Sequence, residues 1–331
     1  MRPRRRILSR SIYEICFKTT HGLPFVCTWY MRRIIRGIIA RVQRDQKVIL
    51  CHDLWMSNHV HMIVKALDQR QCAAFHGEIK KQLTEAIRRL LGIRGPLSLW
   101  QENGTSVVHY GDLAAVQYRI AYLYANPARA NLVDRIEHYP GESTWGEFMA
   151  APHTLEAAVE VECPWIQARD IPRLPARGVS EIQDQLFDER LLTGSRTSHR
   201  LVVNPNSWMS EFGVTSPERV KVVNQQILIT MRGLEEEARL SRLARGWKVK
   251  GAGRLRREEI SLRYRESKRS IRIFVYAIDA ATRIQMIEEY RDFCVRCTEC
   301  YQRWKMGDYG VKWPPGAYRP PSAQTANFFD L

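Results

Sequence analysis

The sequence predicts an α+β protein: a ferredoxin-like antiparallel sheet with helices packed on it, followed by a mostly helical C-terminal region. Three observations predict this. Segments of strand period and helix period alternate as β-α-β-β-α-β-α over the first 150 residues. The stretch LWMSNHVHMIV (54–64) brings two apolar strands together through Ser57-Asn58, a short hairpin signal. Past residue 150 the alternation gives way to a proline-bearing stretch and then to long helical runs.

The elements follow in order. RSIYEICFKTT (10–20) reads as a strand. Residues 28–45 read as a basic amphipathic helix, with Met31, Ile34, Ile35, Ile38, Ile39 and Val42 at helical spacing. KVILCHDLWM (47–56) and HVHMIVKAL (59–67) are the hairpin strands. Residues 71–92 form a second amphipathic helix closed by Gly92. Residues 97–111 can hold one or two further strands. Residues 112–127 form a third helix, N-capped by Asp112, with Asn126 as its expected last position because Pro127 follows. The expected sheet is antiparallel with its helices on one face.

Residues 1–150 are therefore expected to be a catalytic domain, 151–179 a linker and 180–331 a mostly helical C-terminal domain. In the last, Ser216 and Pro217 are an N-cap and first-turn pair, and Gly233 is a candidate break in the helix they start. CVRCTEC (Cys294, Cys297, Cys300) falls inside a long helical run with no fourth ligand nearby. It is expected to be a helical face of small apolar residues rather than a metal cluster.

The 331 residues carry a net charge of +16. Such an excess points to a polyanionic partner. It is concentrated in residues 1–150 and in residues 239–272, where 13 Lys or Arg face three acids. No apolar run is long enough to span a membrane, and the N-terminus lacks the apolar core of a signal peptide, so a cytoplasmic, nucleoid-associated protein without a membrane partner is expected.

His59 and His61 share one face of their strand, because side chains alternate along it, and Val60 points away. Two imidazoles so placed make half of a metal site, or else two hydrogen-bonded histidines in a sheet. Tyr118, Tyr122 and Asn126 are spaced four apart and stack on one helical face, while Tyr124 faces roughly the other way. An aromatic stripe usually means core packing, but a carboxamide in line with it is an odd core residue.

LWMSNHVHMIV together with YLYANPARANLV (122–133) resembles the HUH single-tyrosine transposases, specifically the REP-associated tyrosine transposase group. That group pairs a strand ending in (P/S)-(N/E)-H-x-H with a helix reading Y-I-x-x-N-P-(V/A)-(R/K)-A. The resemblance covers roughly residues 10–150 and takes in Leu99-Trp100 and YPGESTW (139–145). It implies an HUH nuclease core, with His59 and His61 as metal ligands, Tyr122 as nucleophile and Asn126 completing the metal site. The implied activity is cleavage and strand transfer on single-stranded or hairpin DNA through a 5′-phosphotyrosine, with Mg²⁺ or Mn²⁺ as the divalent ion. A phenol ionises only near pH ~10, so it needs such help to attack an anionic phosphodiester.

For DNA contacts the sequence offers Arg4, Arg5 and Arg6 in the tail RPRRR, Arg32, Arg33 and Arg36 on the first helix, and Arg254, Arg256 and Arg257 in the second basic block. Trp29, Trp55 and Trp100 read as core residues that could also stack on bases. Other readings stay open at this point. A histidine-triad nucleotide hydrolase would need a third histidine where Ile63 stands. A rolling-circle initiator or relaxase would use Tyr118 and Tyr122 together. A domesticated, non-cutting repressor would be expected to have lost His59, His61 or Tyr122. Monomer and dimer are both compatible with the sequence.

Overall fold

Seven elements follow the expected order: β1 (Ile12–Lys18), α1 (Trp29–Gln46), β2 (Ile49–Met56), β3 (His59–Lys65), α2 (Gln69–Leu90), β4 (Ser106–Tyr110) and α3 (Leu113–Arg129). They are followed by α4 (Trp145–Ala150), β5 (Val159–Trp165), α5 (Glu181–Gly194), β6 (Thr197–Val203), α6 (Pro217–Ala244), α7 (Ala252–Leu255), β7 (Val275–Tyr276) and α8 (Ala280–Lys305). The computed structural model describes residues 6–8, 11–102, 104–174, 181–195, 197–263 and 273–320.

The sheet runs β5-β6-β2-β3-β1-β4-β7. Its middle four strands are antiparallel and have the ferredoxin-like order that a β-α-β-β-α-β chain produces. Each face buries its own core. Tyr13, Ile15, Phe17, Val60, Met62 and Val64 pack under the apolar stripes of α1 and α2. Ile12, Leu54, Met56 and Ile63 pack under α3 and α6. Helices therefore cover both faces, not one as expected. The reason lies in α3: Val116, Ile120, Ala121, Leu123, Tyr124 and Ala125 are all buried, an apolar surface wider than its contact with the sheet, and α6 covers the remainder.

A bulge in β2 sets which side chains reach the second face. Leu50 pairs with Val64 and belongs to the first core, but after the irregularity between Leu50 and His52 the register resumes with His52 opposite Ile63. The extra residue moves His52, Leu54 and Met56 to the α3 side, with Leu54 beside His61 and Met56 beside His59.

The chain beyond 150 completes this same sheet. The stretch expected to be a linker, 151–179, contains β5, which pairs with β6. β6 joins the β2 edge at Leu50, and β7 joins β4 on the far side. The region is thus less uniformly helical than expected, because two of its strands extend a preformed sheet. Asp184 of α5 caps α1 by accepting from the Trp29 amide at 2.9 Å. α6 runs unbroken through Gly233. No disulfide joins the cysteines among the described residues, and Cys297 is buried on α8 as an apolar residue would be. No helix among the described residues is long and apolar enough to cross a membrane.

Candidate active site

His59 and His61 lie on the sheet face that α3 covers, as the two-residue period of β3 requires. Their rings are 5.1 Å apart and nearly perpendicular. Each Nδ1 is engaged by an oxygen. For His61 it is Oε1 of Glu14, at 2.6 Å, and for His59 it is Oδ1 of Asn58, at 2.8 Å. With Nδ1 carrying the proton toward that acceptor, the neutral His59 has Nε2 to offer as a ligating atom, and His61 offers its own once it gives up the second proton that the Glu14 carboxylate helps it hold.

Glu14 is the centre of this arrangement. It is almost fully buried on β1. Besides His61 it accepts from Arg119 Nη2 (to Oε1) and Nε (to Oε2), both at 2.7 Å, and from the Tyr110 hydroxyl at 2.6 Å. Burial opposes its ionisation, yet the Arg119 charge and the His61 hydrogen bond outweigh that and hold the carboxyl well below the usual carboxylate range. Burial also works against a charge on His61, but Cys16 alongside and the Glu14 carboxylate push it up to about 9. His59 goes the other way: burial first, then the neighbouring His61, press it down to about 3, so its imidazole is neutral.

Tyr122 is half-buried on α3. Arg119 and Arg129 place their guanidinium carbons 4.7 and 4.6 Å from its ring centre, and the Tyr118 ring lies 6.4 Å away. Tyr124 points elsewhere, with its hydroxyl 2.9 Å from Nδ1 of the buried His52. Asp112 caps α3 by accepting from Ala115. Asn126 is not the last helical residue, because α3 continues through Pro127 to Arg129. Proline withholds one amide from the ladder, and the following turn is closed by Ala130 N to Asn126 O and Leu132 N to Pro127 O, both at 2.9 Å.

The residues present fit a divalent cation. The Nδ2 end of Asn126 is buried with no hydrogen-bond partner, an orphaned amide that a half-turn of the carboxamide would convert into an oxygen donor. Among the described residues no three His, Cys, Asp or Glu side chains cluster as a metal site, so the imidazole pair needs an amide or water to complete a ligand set.

The basic residues singled out from the sequence divide into two groups. Arg36 donates to Glu142 and Glu147 at 2.8 Å, Arg32 lies 3.5 Å from Glu142, and Arg33 pairs with Asp188 at 2.5 Å. Arg33 thereby holds α5 against α1, while Arg32 and Arg36 tie the 142–147 segment to it, and the charge of all three is met inside the protein. Arg6 pairs with the Glu289 carboxylate at 3.1 Å. Arg4 and Arg5 lie outside the described residues. Arg254 and Arg257 are exposed, and Arg256 lies 5.0 Å from the ring centre of Trp29, itself exposed. Trp55 is core, and half-buried Trp100 packs against Phe17 and Phe25.

Glu14, Tyr110 and Arg119 belong to neither sequence motif, yet they meet at the His61 ring. A signal existed for Glu14: an acid inside an apolar strand, two residues from Cys16, has the parity of a core-facing position. YPGESTW also has a structural use. Glu142 O accepts from Trp55 N at 2.9 Å and Thr144 N donates to Asp53 O at 3.2 Å, so this segment closes the β2 edge beyond β6.

No family model and no curated protein matches the chain. Among solved structures it is similar to one described as a REP-associated tyrosine transposase bound to a REP hairpin, with 21% identity over 45% of this chain and 86% of that one and a TM-score of 0.38.

Proposed function

We propose that the chain is a metal-dependent single-stranded DNA endonuclease and strand transferase, a transposase that acts through a 5′-phosphotyrosine on hairpin-forming DNA. The observation that carries this reading is the imidazole pair. Each Nδ1 is held by a fixed oxygen, on the sheet face that the Tyr122 helix covers. The motif pair around His59-Val60-His61 and Tyr122–Ala130 supports it.

His59, His61 and Asn126 would hold a Mg²⁺ or Mn²⁺ ion, which when bound supplies positive charge for a non-bridging phosphate oxygen. Glu14 fixes the tautomer and direction of His61 and is itself clamped by Arg119 and Tyr110. The Tyr122 oxygen attacks phosphorus and the bond from phosphorus to O3′ breaks. The departing O3′ takes a proton and leaves as a 3′-hydroxyl, while the 5′-phosphate remains esterified to Tyr122. The guanidiniums of Arg119 and Arg129, stacked on the Tyr122 ring, hold the ring in place and put positive charge beside the phosphate it attacks, while the phenol proton passes to solvent. Because the phosphoester is conserved, a second 3′-hydroxyl can run the step backwards and join a new strand.

The test is a cleavage assay on hairpin-bearing single strands with and without Mn²⁺ or Mg²⁺, with the covalent protein–DNA adduct followed on a denaturing gel. A metal-dependent adduct is expected. Undiminished cleavage in excess chelator, or no adduct on any strand tried, would overturn the reading.

A further inference from the structure

Between the C-terminal turns of α3 and α6 lies a cavity of about 160 Å³, walled by Arg129, Arg242, Arg245, Trp247, Ser241 and Glu237 among others. Arginines at helix C-termini usually answer the free carbonyls there. Arg242 does so: it is buried, donates to Ala128 O and Asn131 Oδ1, and pairs with Asp134. Arg129 and Arg245 do not. Each lies over an aromatic ring, Arg129 over Tyr122 and Arg245 over Trp247 at 5.2 Å, and neither makes an ion pair among the described residues.

Trp247 is 53% exposed, which is a poor use of an indole for packing. Its backbone is nonetheless fixed. Gly246 takes the left-handed conformation, its amide donates to Leu243 O, and the Trp247 amide donates to Arg242 O, the pair of bonds that closes a Schellman cap. The indole thus stands on a rigid helix end, at the mouth of a cavity whose other wall is the arginine stacked on Tyr122.

We propose that this cavity is a nucleotide subsite for single-stranded DNA: one base stacks on Trp247, and Arg245 and Arg129 hold the flanking phosphates. Its substrate class rests on the nuclease reading above. The cavity has room for one flat ring system and none for a duplex. Arg129 stands on the α3 wall, and the α6 wall carries Arg245 at its C-terminal end and Glu237 about two turns earlier. That arrangement seats the phosphates at the two arginines, away from Glu237, with the base on Trp247 between them. Arg129 belongs to both places, so a strand seated in the cavity is led to Tyr122.

The test measures binding of short single strands to Tyr122→Phe protein by fluorescence anisotropy, with a single abasic position walked along the strand. Loss of one stacking platform is expected to weaken binding about tenfold in Trp247→Ala, while Trp247→Phe keeps most of the affinity. An abasic site at one position should cost the parent protein a similar factor and cost Trp247→Ala nothing. Arg245→Ala should weaken binding and flatten its salt dependence. Thermal unfolding of Trp247→Ala should match the parent, because the indole is exposed. Unchanged affinity in Trp247→Ala, a penalty that does not depend on the abasic position, or no single-strand binding at all would overturn the subsite. Trp247-dependent binding in a protein that never forms an adduct would sink the cleavage reading and leave the subsite standing.

Discussion

Glu14 and His61 meet diagonally across the β1–β3 ladder, with Oε1 2.6 Å from Nδ1, in a site that Arg119 and Tyr110 close from the other side. A histidine whose Nδ1 is held by a buried carboxylate has one direction and, when neutral, one tautomer. Replacing the carboxylate by an amide keeps the shape and removes the charge. Glu14→Gln is therefore expected to lower Mn²⁺ affinity about 10- to 100-fold, measured by calorimetry on the folded protein. Equal affinities in Glu14→Gln and the parent would show that the contact only fills space.

On the proposed reading both imidazoles serve one ion, so metal binding and cleavage should fall together in His59→Ala and in His61→Ala. The comparison is Mn²⁺ titration beside adduct formation. Retained adduct with lost metal would separate the two and remove the metal from the chemistry.

Tyr122→Phe deletes one hydroxyl and leaves the ring between Arg119 and Arg129. The covalent adduct should vanish while DNA affinity stays near that of the parent. Tyr118→Phe, one turn away, should be much milder. The opposite pattern would hand the nucleophile's role to Tyr118, and loss in both would favour a two-tyrosine initiator.

Arg254, Arg256 and Arg257 sit on and just after α7, and neutralising all three should weaken hairpin binding and flatten its salt dependence. The log–log slope should change by up to about one unit per lost phosphate contact. Cleavage of a saturating short strand should be little affected. An unchanged slope would return this block to an ordinary charged surface.

His52 and Asp53, neighbours on β2, titrate in opposition. Burial presses His52 down to about 3, so the unfolded chain takes up a proton below about 6.5 that the folded chain refuses. That contribution to stability is complete above pH ~6.5 and is lost as the pH falls. For Asp53, burial and then Glu142 push the carboxyl up to about 7, so the folded chain keeps a proton that the unfolded chain releases above its ordinary 3.8. That contribution is complete below the lower value and is lost as the pH rises through the upper one. Between about pH 4 and 6.5 the two slopes offset each other. Asp53→Asn should remove one of them, so the variant should lose up to about 1.4 kcal/mol per pH unit relative to the parent on acidification through this window. Urea unfolding at pH 4.5 and 6.5 decides it, and parallel curves for the two proteins would refute the assignment.

The parts of the site that follow a short period were legible in the sequence. Alternation placed His59 and His61 on one face, and four-residue spacing put Tyr122 and Asn126 on one side of α3 with Tyr124 on another. What was not legible depends on one-residue irregularities or on distant partners. The β2 bulge moves Leu54 and Met56 beside the histidines, yet no residue in ILCHDLWM marks it. The helix runs past Pro127, whose missing amide costs a single bond, and the ladder resumes with Ala130 N donating to Asn126 O. Arg33 and Arg36 look like phosphate contacts until Asp188, Glu142 and Glu147, each more than 100 residues later in the chain, arrive to neutralise them. The strands β5 and β6 lie in a stretch without strong period because pairing to an existing sheet supplies the order that local pattern lacks.

That pairing bears on how the protein can be divided. The motifs all fall before residue 150, yet β6 covers the β2 edge, β7 covers the β4 edge and α6 roofs the helix that carries Tyr122. A fragment ending there would own His59, His61, Tyr122 and Asn126 and still present two open strand edges and a bare apolar helix surface. The motif-bearing half is not a portable module. Fusing it to another DNA-binding partner, or exchanging the C-terminal half for a foreign one, would mean rebuilding the outer wall of the site along with it.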